Sequence, residues 1–254
     1  MARVHSTAVV DPRAELAASV EIGPYSVIGP GVRIDEGTRL LAHVVVSGAT
    51  AIGRNNVIHP FAVIGGDAQV RKSAALPDAR PAVAIGDDNV LREHVTLNAS
   101  TTERPTTIGS KNLLMAGCHV AHDVLLGSSC IVANGVQLAG HVVVEDHVNF
   151  GGLSGVAQRL RIGQGAFVAA GAMCERDVPP FVIVQGDRAR VRALNVVGLE
   201  RRAVPPESIA ALRRAFAELF VRKERAFASS LAALDRSDPW VRILADAFER
   251  PGRA

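Results

Sequence analysis

The stretch Val4-His-Ser-Thr-Ala-Val-Val10-Asp-Pro-Arg-Ala-Glu-Leu16-Ala-Ala-Ser-Val-Glu-Ile22-Gly-Pro-Tyr-Ser-Val-Ile28 decides the fold. An aliphatic residue stands at every sixth position. The register continues without a break through Ile34, Leu40, Val46, Ile52, Ile58 and Ile64. It slips, returns at Ile85, Leu91 and Leu97, slips again, and runs from Ile108 through Val120, Leu138 and Val156 to Cys174. The fourth residue after the aliphatic is usually small or branched, as at Ala8, Ala14, Val20, Ser26 and Val32. A period of six does not suit an amphipathic helix, whose period is about 3.6. It suits a short strand and a tight turn, with three such units closing one triangular coil. The spacing therefore predicts a mostly β chain, a parallel β-helix of hexapeptide repeats. The 26 repeats make nearly nine coils, a prism on the order of 40 Å long at the usual inter-strand spacing.

Composition agrees. Of 254 residues, 48% are hydrophobic but only 4% are aromatic. Thin coils leave little room for rings. The net charge of +3 is too mild for a nucleic-acid binder. The three cysteines, Cys118, Cys130 and Cys174, do not make a disulfide framework and suit a reducing compartment. The N-terminus lacks an apolar signal core and no run suggests a transmembrane segment. A cytoplasmic location is expected.

Two segments, 66–84 and 98–107, leave the repeat and are read as inserted loops. Extruded loops on a regular solenoid commonly serve binding. After Cys174 the repeat is expected to stop at Asp177-Val-Pro-Pro180. Ile209, Leu212, Phe216, Leu219 and Phe220 then recur at helical spacing, opened by Pro205-Pro206. Trp240, Ile243, Leu244 and Phe248 give a last helix entered through Asp238-Pro239. The division expected is a β-helix over 1–190 and a C-terminal α-helical domain over 191–254. The tail carries Arg201, Arg202, Arg213, Arg214, Arg222, Lys223 and Arg225. These form either a solvated face or a docking site for an acidic partner.

His119, His122 and His141 cluster in the second half of the prism. His141 follows His122 by 19 residues, one coil plus one, so the two share a corner on adjacent coils. That places them roughly 5–7 Å apart. Gly140 lies one coil above His122, and Gln158 two coils above. One reading is acyl transfer. A histidine takes a proton from a hydroxyl or amine, Asp123 favours the imidazolium, and the Gly140 N–H holds an oxyanion. A rival is a zinc site, but His119-x-x-His122 lacks the spacing of the three-histidine sites on such prisms. No metal or other cofactor is expected. A third reading is corner histidines without a task.

The segment Asn112-Leu-Leu-Met-Ala-Gly-Cys-His119-Val-Ala-His122-Asp123, followed by Leu138-Ala-Gly140-His141-Val, resembles the acyl-carrier-protein-dependent UDP-N-acetylglucosamine O-acyltransferases that start lipid A synthesis in Gram-negative bacteria. Asp177-Val-Pro-Pro-Phe-Val-Ile-Val-Gln-Gly186 and Gly198-Leu-Glu-Arg-Arg202 agree, so the resemblance covers nearly the whole chain. It implies a left-handed β-helix and a homotrimer with sites between prisms. It implies His122 as the general base toward the sugar 3-hydroxyl, Asp123 as its support and Gly140 as the oxyanion donor. His119, His141 and Gln158 would line the cleft, with Lys72, Asn195 and Arg201 as further substrate contacts. The donor would be a 3-hydroxyacyl thioester on acyl carrier protein, and Ala170 with nearby Phe167 would limit acyl length. Four departures from the family pattern are Ala157, Val197, the Gln69-Val70-Arg71-Lys72 stretch and Asn98-Ala-Ser-Thr101. All four are placed on the acceptor or cleft side, which leaves two alternatives open. One is O- or N-acylation of a different nucleotide amino sugar. The other is a catalytically silent scaffold that binds acyl carrier protein.

Overall fold

The computed structural model describes residues 1–71, 82–222 and 226–250. Each repeat forms a short strand and a turn, and the strands stack into three parallel sheets. Face A begins with Arg3–Val4 and Glu21–Ile22, face B with Val9–Val10 and Val27–Ile28, and face C with Glu15–Leu16 and Arg33–Ile34. Val4 pairs with Ile22 and Ile22 with Leu40, a step of 18 residues, or three repeats. From Ile22 onward the aliphatics point inward and form one continuous core, with Val10 and Leu16 partly buried against it. From Ile22 onward the third residue after most of the aliphatics takes positive φ, whether it is Gly31 (71°), His43 (57°) or Asp123 (60°). A non-glycine residue there costs about 1 kcal/mol or more. A backbone hydrogen bond to the coil below offsets it, as from His43 N–H to Pro24 O at 2.9 Å.

The fourth residue faces inward too, and it is not always small. Asn56, Asn89 and Asn112 form a buried ladder. Asn56 Oδ1 accepts from the Asn89 N–H (2.9 Å) and Nδ2 (3.0 Å). Asn89 Oδ1 accepts from the Asn112 N–H (2.9 Å), and its Nδ2 donates to Gly109 O (2.9 Å). Asn89→Val removes one rung and strands buried polar groups on both sides. A loss of about 2–4 kcal/mol is expected, read by urea unfolding.

The insertions share one corner. Ile58 pairs with Leu91, 33 positions on, and Leu91 with Leu114, 23 positions on. The first departs between the face B strand Val63–Gly66 and the face C strand Val83–Ile85, the second between Thr96–Asn98 and Thr106–Ile108. Most of the first loop lies outside the described residues.

The prism does not end at Asp177. Val178 bridges Ile162, and the strand Val182–Gln185 pairs with Phe167–Val168. Val168 faces Val184 across only 16 positions. Two residues are missing from that coil, so a search at fixed period loses it. Face A thus has ten parallel strands, and Arg190–Leu194 returns antiparallel to close it.

The tail holds α1 (Val196–Arg201), α2 (Pro206–Phe216), α3 (Phe227–Ala232) and α4 (Pro239–Glu249). Proline stands at the first turn of α2 and of α4, as Pro205-Pro206 and Asp238-Pro239 imply. Asp238 caps α4 by accepting from the N–H groups of Trp240 (2.8 Å) and Val241 (3.2 Å). The helices bury Leu199, Leu212, Leu219 and Leu244 around Phe181, which also meets Trp240 at 5.5 Å. Among the described residues no helix is long and apolar enough to cross a membrane.

Candidate active site

His122 and Asp123 sit in the turn between the face B strand His119–Val120 and the face C strand Leu125–Leu126. That is the corner from which both inserted loops leave. Val120 anchors the turn in the core, so His122 is fixed in place, 6% exposed. Its Nδ1 lies 2.7 Å from Asp123 Oδ2. A carboxylate can only accept, so Nδ1 is the donor, and in the neutral imidazole that leaves the lone pair on Nε2. Nε2 has no hydrogen-bond partner among the described residues.

Asp123 is 9% exposed. Burial pushes its carboxyl pKa up, but hydrogen bonds from Ser100, Thr101, His122 and Thr102 outweigh this and hold it far below the usual carboxylate range. It is an anion at every pH relevant to activity.

One coil above, the His141 N–H donates to His122 O at 3.0 Å. The two rings meet edge to face, with centroids 5.0 Å apart. Burial lowers the His141 pKa, and the Asp123 charge only partly opposes it. Burial lowers that of His119 also, with the His122 charge acting in the same sense. Both rings are neutral near pH 7. His119 Nδ1 is held by Thr96 Oγ1 at 2.7 Å.

Gly140 lies directly over the His122 ring. A Cβ built on it would stand 2.6 Å from Cε1 and 2.7 Å from Nε2. Only glycine lets the imidazole lie there. The Gly140 N–H has no partner among the described residues.

A groove of about 490 Å³ runs along face B beside His122; Asp123 and His141 stand behind it and do not line it. His119, His122, Gly140 and Gln158 line it, together with Ala157 and Gln69. Its walls are mostly apolar: Leu138, Val156, Met173 and Cys174. Burial raises the Cys174 thiol to about 11, so it is not a nucleophile.

Other expected contacts lie elsewhere. Ala170 is exposed on the turn between faces A and B, and Phe167 is half-buried on face A. Neither lines the groove. Asn195 is buried, and its amide works within the chain. It caps α1 by accepting from the Gly198 N–H (3.1 Å) and donates to Gly165 O (2.9 Å). Arg201 is exposed on α1. Lys72 lies outside the described residues, as do Lys223 and Arg225.

The Asn98–Thr101 departure lies against Asp123. Ser100 and Thr101 grip Asp123, together with Thr102. The repeat gives no place to these hydroxyls, because an inserted loop has no period. Gln137, Gly155 and Met173 also line the groove. They follow His119 at steps of 18 along the outside of face B, so the repeat itself carried that signal.

His122, Asp123 and His141 bring ligand-type atoms within 4.8 Å of one another. The carboxylate oxygens are already taken by hydrogen-bond donors, and the 2.7 Å His–Asp contact is that of a hydrogen bond.

Comparison with known proteins gives a consistent answer. Residues 177–254 match the profile of the family described as UDP N-acetylglucosamine O-acyltransferase, domain 2. Residues 105–140 match bacterial transferase hexapeptide repeats. The acyl-[acyl-carrier-protein]–UDP-N-acetylglucosamine O-acyltransferase of Herminiimonas arsenicoxydans is 44% identical, over 100% of this chain and 98% of its own length. The solved structure of LpxA from Acinetobacter baumannii superposes with a TM-score of 0.90 at 37% identity, covering 97% of this chain and 96% of that one. The UDP-N-acetylglucosamine O-acyltransferase of Moraxella catarrhalis gives 0.91 at 34% identity, covering 99% and 98%. With the hexapeptide prism, the helical tail and full-length identity in agreement, the chain belongs to the acyl-[acyl-carrier-protein]–UDP-N-acetylglucosamine O-acyltransferase family.

Proposed function

We propose that the chain transfers a 3-hydroxyacyl group from acyl carrier protein to the 3-hydroxyl of UDP-N-acetylglucosamine, the first step of lipid A synthesis, and acts in the cytoplasm. His122 Nε2 takes the proton of the sugar hydroxyl as its oxygen attacks the thioester carbonyl. The Gly140 N–H receives the oxyanion. Collapse breaks the C–S bond, and the departing sulfur takes the proton from the imidazolium. Asp123 stabilises that imidazolium and fixes its orientation. The observation that carries this reading is the free Nε2 of a carboxylate-bound histidine, set against a glycine in a mostly apolar groove.

The groove runs along the face of one prism, so a second copy of the chain would supply its other wall. A homotrimer would do so, and would bring the face A–B turn with Ala170 and Phe167 toward the acyl chain of a neighbour. The basic residues of the tail, Arg213 and Arg214 on α2 among them, suit an acidic carrier protein.

The test is a panel of hydroxyacyl donors of several lengths with UDP-N-acetylglucosamine and other nucleotide sugars, read by mass spectrometry. Transfer to UDP-N-acetylglucosamine is expected, and its absence with every donor overturns the proposal. Ala170→Gly should move the optimum toward longer donors. One added methylene is worth about 0.8 kcal/mol, or roughly fourfold in relative kcat/KM.

A further inference from the structure

Asp123 receives far more hydrogen bonds than a partner for one histidine requires. Thr101 Oγ1 lies 2.6 Å from Oδ2, while Ser100 Oγ (2.6 Å) and Thr102 Oγ1 (2.8 Å) lie against Oδ1. The Thr101 and Thr102 N–H groups each donate to Oδ1 at 3.1 Å. Three consecutive hydroxyls and two backbone amides thus close around one carboxylate. All come from the loop that breaks the repeat at 98–107.

The loop is itself held on both sides. The Ala99 N–H donates to Gly66 O (2.7 Å) and the Ser100 N–H to Ala82 O (3.0 Å), on the coil below. At its far end the Thr106 hydroxyl accepts from the Asp123 N–H (2.8 Å). Nothing else along the prism surrounds a turn residue in this way among the described residues. At the turn of His43 the backbone bond is joined only by stacking of its ring on Tyr25 and Phe61. Asp123 puts a charge at a strained, buried position, and the hydroxyls answer that charge.

We infer that the Ser100-Thr101-Thr102 loop is a positioning device for acyl transfer, a hydroxyl cradle that orients Asp123 and moderates its pull on His122. The inference rests on the reading of His122 as the base. The cradle does two things. It fixes the carboxylate plane, so that Oδ2 faces His122 Nδ1 and His141, 3.7 Å away, does not capture it. It also spreads the negative charge over several donors. A carboxylate left bare would hold the imidazolium more tightly and leave less neutral base at a given pH. Thr101 and Thr102 matter most, because each contributes both a hydroxyl and an N–H. Ser100 Oγ also approaches Arg104 O, at 2.5 Å, and has only one proton to give.

The experiment compares Thr101→Val, Thr102→Val and Thr101→Ser with the unaltered protein. Valine keeps the bulk and removes the hydroxyl, whereas serine keeps the hydroxyl. Each valine variant should lose roughly tenfold in kcat with KM nearly unchanged, as expected for one hydrogen bond to a charged group. The acidic limb of its kcat/KM profile should move to higher pH by roughly half a unit or more. Thr101→Ser should behave as the original. A second readout needs no substrate: the Nδ1–H resonance of His122 in histidine-labelled protein, which should move in the valine variants and stay in the serine one. If both valine variants keep the original resonance and the original pH profile, the cradle has no positioning role. If the unaltered protein transfers no acyl group, the function proposal fails, and the resonance still decides the cradle. Should one valine variant not fold, the other carries the comparison.

Discussion

Replacing His122 with alanine is expected to lower kcat for acyl transfer by roughly a thousandfold, within the usual range for a general base. KM for both substrates should change little. The reason is geometric. His122 presents a free Nε2 to the groove. His119 is tied to Thr96, and His141 stands outside hydrogen-bond reach of Asp123. Neither replaces it. The fold should survive, because Asp123 keeps its donors from Ser100, Thr101 and Thr102 and is not left bare. Thermal unfolding of the variant checks this. Turnover is followed by loss of the carrier-protein thioester. Turnover equal to that of the original would remove His122 as the base and return attention to the scaffold reading.

The repeat made the scaffold legible because each aliphatic does the same job in every coil. Ile22, Leu40 and Ile58 stack because an 18-residue step is set by geometry, and that step put His122, Gly140 and His141 on one corner. The same arithmetic could have carried Met173 into the groove through His119, Gln137 and Gly155. It fails where the step changes. Val184 returns after 16 residues, so the last coil drops out of phase. It fails more deeply in the loop, where Ser100 reaches Asp123 across 23 positions by a path with no periodicity. A Ser-Thr-Thr run reads as an ordinary polar loop until the carboxylate it surrounds is in view. Asn195 shows what the repeat could not reveal. The resemblance assigned it to the nucleotide, and the structure adds that its buried amide caps α1 and donates to Gly165 O.

Gly140→Ala is expected to reduce kcat by at least a hundredfold, although it adds one methyl group and keeps the N–H. The new Cβ would meet the His122 ring at 2.6–2.7 Å, well inside contact distance. The ring cannot yield toward Asp123, which already holds Nδ1 at 2.7 Å. It must tilt, and Nε2 then leaves the line of attack. A misplacement of about 1 Å is enough for a loss of that size. A double-mutant cycle isolates this cause. In a His122→Ala background the ring is gone and the methyl meets empty space. There Gly140→Ala should change the residual rate by less than about threefold, since the backbone donor for the oxyanion is retained. A loss of the full hundredfold in both backgrounds would mean that the glycine serves the substrate or the backbone geometry rather than the base. Near-additivity would therefore separate Gly140 from His122, and strong non-additivity would bind the two into one unit. The close packing of that glycine against the ring predicts the second outcome.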